Sequence, residues 1–103
     1  MKEISFEMEM STQALWKELH TRALSSESGK DDSAWLRAWA KKIPRYTKGC
    51  NCNEHWGKWV RANPPVFKNT DTYFAWTVES HNAVNTRLGK PIVTVEQARQ
   101  IYA

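Results

Sequence analysis

An all-α fold is predicted for this chain of 103 residues by three observations. Apolar residues recur at three- and four-residue spacing in five segments, and prolines, glycines and capping residues separate those segments. Strand-like alternation is nowhere sustained. The length is that of a single domain, residues 1–103, and 41% hydrophobic against 25% charged residues is an ordinary globular composition. The sequence therefore predicts a compact bundle of five helices.

Two helices are predicted in the N-terminal half. The first follows Thr12, an N-cap candidate, and ends where residues 25–29 interrupt the pattern. The residues that recur in it at three- and four-residue spacing are Leu15, Trp16, Leu19, His20, Ala23 and Leu24. The second takes its cap from residues 31–33 and stops at Pro44; its apolar side is Trp35, Leu36, Trp39 and Ile43.

Three more helices are predicted after residue 50. The third starts close to Cys52 and ends at Asn63, before two prolines. The fourth and longest begins near Asp71 and ends at Gly89, the expected C-terminal signal. The fifth begins at Thr94, whose pairing with Gln97 is a capping box.

Charge patterning excludes some classes of protein. No stretch without Asp, Glu, Lys or Arg exceeds seven residues, so no segment is expected to span a membrane. The N-terminus, with Lys2 followed by Glu3, lacks the pattern of a secretory signal, so an intracellular protein is expected. Its compartment could be the cytoplasm, including that of a virus-infected cell, or an organelle reached by other means. A net charge of +4 permits an anionic ligand, but the basic residues are too scattered to favour nucleic acid.

The two cysteines, Cys50 and Cys52, lie where a loop enters the third predicted helix. A helix N-terminus stabilises a thiolate, and His55, one turn after Cys52, adds to that effect. A redox pair is one interpretation, since a small strained disulfide ring tends to be oxidising. A metal site and a pair of buried, inert thiols are the alternatives that the residues leave open.

Two further groups of residues indicate a ligand site. His81, Asn82 and Asn85 share one side of the fourth helix and interrupt its apolar stripe, although an exposed, solvated patch is the alternative. Lys90 beyond the helix end could bind a phosphate. Trp16 and His20, four residues apart on the first helix, offer a platform for a flat heteroaromatic ring, although tryptophan at this spacing is also typical of a core.

Taken in order, these motifs resemble the Erv/ALR family of FAD-linked sulfhydryl oxidases. Residues 16–20 resemble its W-x-x-L-H helix, and residues 52–55 resemble the second half of its C-x-x-C-x-x-H redox segment. Residues 81–91 are similar, without a gap, to its H-N-x-V-N-x-x-L-G-K-P signature, which is the most specific of the three matches.

The resemblance implies a four-helix bundle with a short fifth C-terminal helix, FAD at the bundle mouth and a homodimer. It implies that Cys52 is the flavin-proximal thiol and Cys50 the distal thiol, which exchanges with a thiol-containing protein or a small dithiol. Oxygen would be the electron acceptor, giving hydrogen peroxide. The residues implied in cofactor binding are Trp16, His20, His55, His81, Asn82, Val84, Asn85, Leu88 and Lys90.

The chain departs from the family pattern at its redox segment. The cysteines are separated by one residue, and Gly49 stands where the family's distal cysteine is expected. One alternative function is therefore an FAD-binding helical scaffold without oxidase activity. A second is a small zinc-binding, nucleic-acid-binding module held by Cys50, Cys52, His55 and His81, although the cysteine spacing is shorter than zinc sites usually have.

Overall fold

The structure, a computed structural model, describes residues 14–43 and 52–102. Within those ranges it contains five helices and no strand: α1 (14–24), α2 (Ser33–Ala40), α3 (Cys52–Ala62), α4 (Thr70–Leu88) and α5 (Val95–Tyr102). The predicted all-α fold with a short fifth helix is confirmed. None of the described helices is long and apolar enough to cross a membrane.

The helix ends follow from local capping chemistry. Asn69 and Thr72 form a capping box at the start of α4, with the Thr72 N–H donating to Asn69 Oδ1 at 2.8 Å. Thr94 and Gln97 form the predicted capping box of α5, since each backbone N–H donates to the other side chain, at 2.9 and 3.1 Å. Gly89 ends α4 in the left-handed conformation, at φ 73°, which glycine adopts without steric cost.

The second helix is shorter than predicted. It ends at Ala40, and residues 41–43 form a tight turn in which the Ile43 N–H donates to the Ala40 carbonyl at 3.1 Å. The prediction that Ile43 lies on the helix was therefore wrong, although the side chain is buried in the core. Pro44, the predicted stop, lies outside the described residues.

Asp32 stands at the N-cap position of α2, but its carboxylate makes no cap hydrogen bond. It accepts two hydrogen bonds from Arg22, at 2.9 and 2.8 Å, and one from the Tyr73 hydroxyl at 2.7 Å. The hydrogen bond from Arg22 holds the pKa of Asp32 below its usual value, despite burial. This carboxylate therefore ties α1, α2 and α4 together at one end of the bundle.

Four buried tryptophans run through the core. Trp39 lies 5.5 Å from Trp16 and 5.4 Å from Trp56, and Trp56 lies 6.1 Å from Trp76, between ring centroids. The indole N–H of Trp39 donates to the Leu15 carbonyl at 3.0 Å. In the described part of the chain, Trp56 Nε1 is the one buried side-chain nitrogen or oxygen without a hydrogen-bond partner.

Helix α5 packs against α4 through one residue in particular. The Arg99 guanidinium donates to Asp71 at 2.8 Å and lies 5.5 Å from the centroid of the Phe74 ring. Ala98 is buried on the same side. Tyr102, near the end of α5, lies 4.7 Å from His20 of α1 between ring centroids.

Candidate functional site: an aromatic and imidazole cluster between α1 and α4

The motif at residues 16–20 on α1 and the motif that begins at His81 on α4 meet in one cluster. Trp16 of α1 stacks on His81 of α4 with 4.0 Å between ring centroids and 5° between ring planes. His20, one turn after Trp16 on the same face of α1, lies 5.2 Å from His81. The packing of α1 on α4 therefore places Trp16 face to face with His81 and His20 edge to edge with His81.

A chain of hydrogen bonds holds the two imidazoles in place. His20 Nε2 lies 3.0 Å from His81 Nδ1, and His20 Nδ1 lies 3.0 Å from the Thr77 hydroxyl oxygen. The Thr77 hydroxyl also lies 2.6 Å from the Phe74 carbonyl oxygen, to which it donates. His81 is thereby anchored to the backbone of its own helix through His20 and Thr77.

Both imidazoles are held in the neutral form. His20 is 1% exposed, with the Phe74 ring edge on one side and the Tyr102 ring 4.7 Å away on another. Burial lowers the pKa of His20 to about 3, and the neighbouring His81 lowers it further. Burial lowers the pKa of His81 to about 4, with a further contribution from the positive charge of Lys90. The cluster is uncharged at neutral pH.

The neutral His20 predicts a loss of stability on acidification. An unfolded histidine binds a proton below pH 6.5, whereas the folded His20 stays neutral to about pH 3, so the stabilising contribution is complete above pH 6.5 and falls as the pH falls. Between pH 6.5 and 5 we expect His20 to lower the free energy of unfolding by about 2 kcal/mol. Urea unfolding at the two pH values measures this. The variant His20→Gln should lose that part of the pH dependence, and equal pH dependence in both proteins would contradict the prediction.

Asn82 uses both ends of its amide to hold the segment between α4 and α5. Its Nδ2 donates to the Val93 carbonyl at 2.6 Å, and its Oδ1 accepts from the Val93 N–H at 3.0 Å. The side chain thus pairs with the backbone as a neighbouring strand would. Its predicted contact with a cofactor remains a prediction.

The other predicted positions of α4 differ in exposure. Val84 is buried in the core, Asn85 is half-buried, and Leu88 is 40% exposed near the helix end. The Lys90 N–H donates to the Asn85 carbonyl at 2.8 Å, which closes the end of the helix and leaves the Lys90 side chain exposed. Leu88 and Lys90 therefore place an apolar and a cationic side chain at the C-terminal end of α4.

The redox segment is described only in part. Helix α3 begins at Cys52, and His55, one turn later, is half-buried. Cys50 and the side chain of Cys52 lie outside the described residues. In residues 14–43 and 52–102 no group of three or more His, Cys, Asp or Glu side chains is arranged to hold a metal ion. The zinc hypothesis also depends on Cys50, which lies outside those ranges.

An open cleft of about 450 Å³ lies on the opposite face of α1 and shares no residue with the cluster. It is lined by the apolar ring of Trp35 and by the polar or charged side chains of Glu18, Thr21, Arg22, Ser25 and Lys42.

Comparison with known proteins identifies the family. Residues 13–103 match the sequence model of the Erv1/Alr family. The chain belongs to the Erv1/Alr family. The resemblance predicted from residues 16–20, 52–55 and 81–91 is confirmed, and these segments fall within the matched range.

The Erv1/Alr relatives include viral enzymes. The FAD-linked sulfhydryl oxidase of the Warthog/Namibia isolate of African swine fever virus is 27% identical over 89 residues, covering 84% of this chain and 75% of that protein. The protein of the same name from the Tick/Malawi isolate gives the same identity and coverage. The predicted class of enzyme and its cofactor agree with the family and with these names.

The Erv1/Alr fold is also shared with a solved structure. The crystal structure of a double cysteine-to-serine mutant of Erv1 from Saccharomyces cerevisiae superimposes with a TM-score of 0.74 and 24% sequence identity. The match covers 91% of this chain and 81% of that one. The helical bundle predicted from the sequence is therefore the fold of this family.

Thr77 was not identified from the sequence as part of this cluster. The available signal was a threonine four residues before His81, within the apolar run from Phe74 to Val78. Its side chain is fully buried, and a buried hydroxyl requires hydrogen-bond partners. That it serves His20 could be seen only once α1 and α4 were packed together.

Proposed function

We propose that this protein is an FAD-dependent thiol oxidase, formed by the single domain 1–103. The observation that carries the proposal is the stack of Trp16 and His81, joined by His20, because it brings two separate family motifs into one cluster. Family membership and the names of the viral relatives support the same activity.

The residues present fit a flavin dinucleotide. Within the cluster, His81 is the half-buried ring that a flat heterocycle could reach, and Lys90, whose positive charge acts on His81, could pair with a pyrophosphate. Trp56 carries a buried N–H without a partner in the described residues, and a carbonyl or ring nitrogen such as an isoalloxazine carries would satisfy that donor. These features suit an aromatic, anionic ligand with hydrogen-bond acceptors.

We assign the adenine end of FAD to Trp16, His20 and His81, where His81 is the more exposed of the two imidazoles. Val84, Asn85 and Leu88 would line the rest of the cleft, Asn82 would hold its rim through Val93, and His55 would approach from α3. When bound, FAD would supply a two-electron acceptor for thiols and return the electrons to oxygen, which leaves as hydrogen peroxide.

The proposed role of the chain's own cysteines is thiol–disulfide exchange. One thiolate of a dithiol substrate attacks the Cys50–Cys52 disulfide at Cys50, and the mixed disulfide resolves when the second substrate thiolate attacks it. The substrate leaves oxidised, and Cys50 and Cys52 hold two electrons and two protons that must be removed before the next cycle. The proposed substrate class is a thiol-containing protein or a small dithiol. We also propose that the protein forms a homodimer.

The visible absorption spectrum tests this function. Protein purified with FAD should show flavin absorbance that bleaches when excess dithiothreitol is added without oxygen and recovers when air is admitted. Flavin that stays oxidised would favour the scaffold without oxidase activity. A protein that is colourless and stays so after FAD is added and free cofactor removed would overturn the proposal, and metal analysis would then test the zinc hypothesis.

A further inference from the structure

The hydrogen-bond chain behind His81 has only one consistent arrangement of protons when both imidazoles are neutral. The Phe74 carbonyl can only accept, so the single hydroxyl proton of Thr77 points to it across 2.6 Å. The Thr77 oxygen must then accept from His20, which places the His20 proton on Nδ1. A neutral imidazole carries one N–H, so His20 Nε2 is a bare acceptor.

The same reasoning fixes the position of the proton on His81. Because His20 Nε2 is an acceptor, the 3.0 Å contact requires His81 to carry its proton on Nδ1. His81 Nε2 is then left with a lone pair. Among the described residues it has no hydrogen-bond partner.

We propose that Thr77 is a positioning residue that fixes the tautomers of His20 and His81, so that His81 presents a hydrogen-bond acceptor to the bound cofactor. The inference rests on the proposed function, in which FAD lies against this cluster. An acceptor at Nε2 suits the adenine amino group at the nucleoside end of FAD, which can only donate. With the opposite tautomer, Nε2 would carry a proton and would no longer match such a donor.

A change at Thr77 should therefore reach His81 through two hydrogen bonds. Thr77→Val keeps the shape of the side chain but removes the hydroxyl, which leaves His20 Nδ1 without a partner at a side chain that is 1% exposed. His20 then gains nothing from keeping its proton on Nδ1 and can place it on Nε2, donating to His81 Nδ1. That reversal moves the His81 proton to Nε2. Thr77→Ser keeps the hydroxyl and serves as the matched control.

The test reads the tautomers directly by long-range ¹H–¹⁵N NMR of the full chain at pH 7, in the wild type, Thr77→Ser and Thr77→Val, before and after FAD is added. We expect both histidines to be protonated at Nδ1 in the wild type and in Thr77→Ser, and to lose this preference in Thr77→Val. FAD affinity, measured by absorbance titration, should be retained in Thr77→Ser and weakened about tenfold in Thr77→Val. Thermal unfolding checks that all three proteins are folded.

Three results would overturn the inference. Protonation at Nε2 in the wild type contradicts the proton count, and unchanged tautomers in Thr77→Val show that Thr77 does not set them. If the tautomers change in Thr77→Val while FAD affinity is equal in all three proteins, the tautomer of His81 does not affect cofactor binding. Failure of the proposed function would look different, because the wild type would show Nδ1 protonation on both histidines and bind no FAD.

Discussion

Replacing Cys52 by serine is expected to abolish thiol oxidation while FAD stays bound. Serine matches cysteine closely in size, but its hydroxyl does not take part in thiol–disulfide exchange. Cys52 is the first residue of α3, where the partial positive charge of the helix N-terminus stabilises a thiolate. We expect turnover to fall by a factor on the order of 10³ or more. Oxygen consumption with dithiothreitol measures the activity, and flavin absorbance after desalting measures the cofactor.

Two further variants separate loss of a thiol from loss of structure. Cys50→Ser should also abolish turnover, because it removes the thiol that we propose receives the substrate. Adding Gly49→Cys to Cys50→Ser returns a thiol one residue earlier, at the spacing usual in the resembled family, and should restore activity. If Cys52→Ser loses FAD together with activity, the cysteine is structural, and if it retains activity, Cys52 is not the flavin-proximal thiol.

Much of the fold could be predicted because the signals are local. The capping box of Thr94 and Gln97 and the left-handed Gly89 are set by residues within one turn of the helix end, so the sequence alone identifies them. The third helix, predicted from Cys52 to Asn63, is observed at Cys52–Ala62 for the same reason. Two prolines follow that end directly.

Predictions failed where tertiary contacts decide the outcome. Asp32 is an ordinary capping candidate by sequence, but Arg22 and Tyr73 from two other helices offer its carboxylate stronger partners than the backbone does. Ile43 continues the apolar spacing of the second helix, yet it reaches the core from a turn. Periodicity reports which side chains are buried and does not report which backbone geometry buries them.

In the candidate site, too, residues with a local sequence signal could be predicted, and contacts between helices could not. Trp16, His20 and His81 were each singled out from local spacing, whereas the stacking of one motif on the other depends on a contact between residues far apart in the chain. The His20 and His81 rings, for example, are 61 positions apart. Thr77 was missed because nothing near it in sequence requires a hydroxyl. The partner that requires it, His20, comes from another helix.

Replacing His81 by alanine is expected to release FAD. The substitution removes the ring that stacks on Trp16 at 4.0 Å and removes the proposed acceptor toward the cofactor. It also leaves His20 Nε2 without its partner at a side chain that is 1% exposed. The lost stacking and the lost hydrogen bonds together should raise the Kd for FAD about a hundredfold. Absorbance titration with FAD, with ultrafiltration to separate free cofactor, measures the change.

A second substitution separates the loss of binding from the loss of folding. His81→Asn offers an amide N–H close to the position of Nδ1, so it can still donate to His20, but it has no aromatic face for Trp16. We therefore expect His81→Asn to unfold at a temperature nearer the wild type than His81→Ala does, and still to bind FAD more weakly than the wild type. Glu79→Gln, at an exposed position of α4, should bind FAD normally. Normal affinity in His81→Ala would show that the cofactor lies elsewhere, because both the ring and the acceptor are then dispensable.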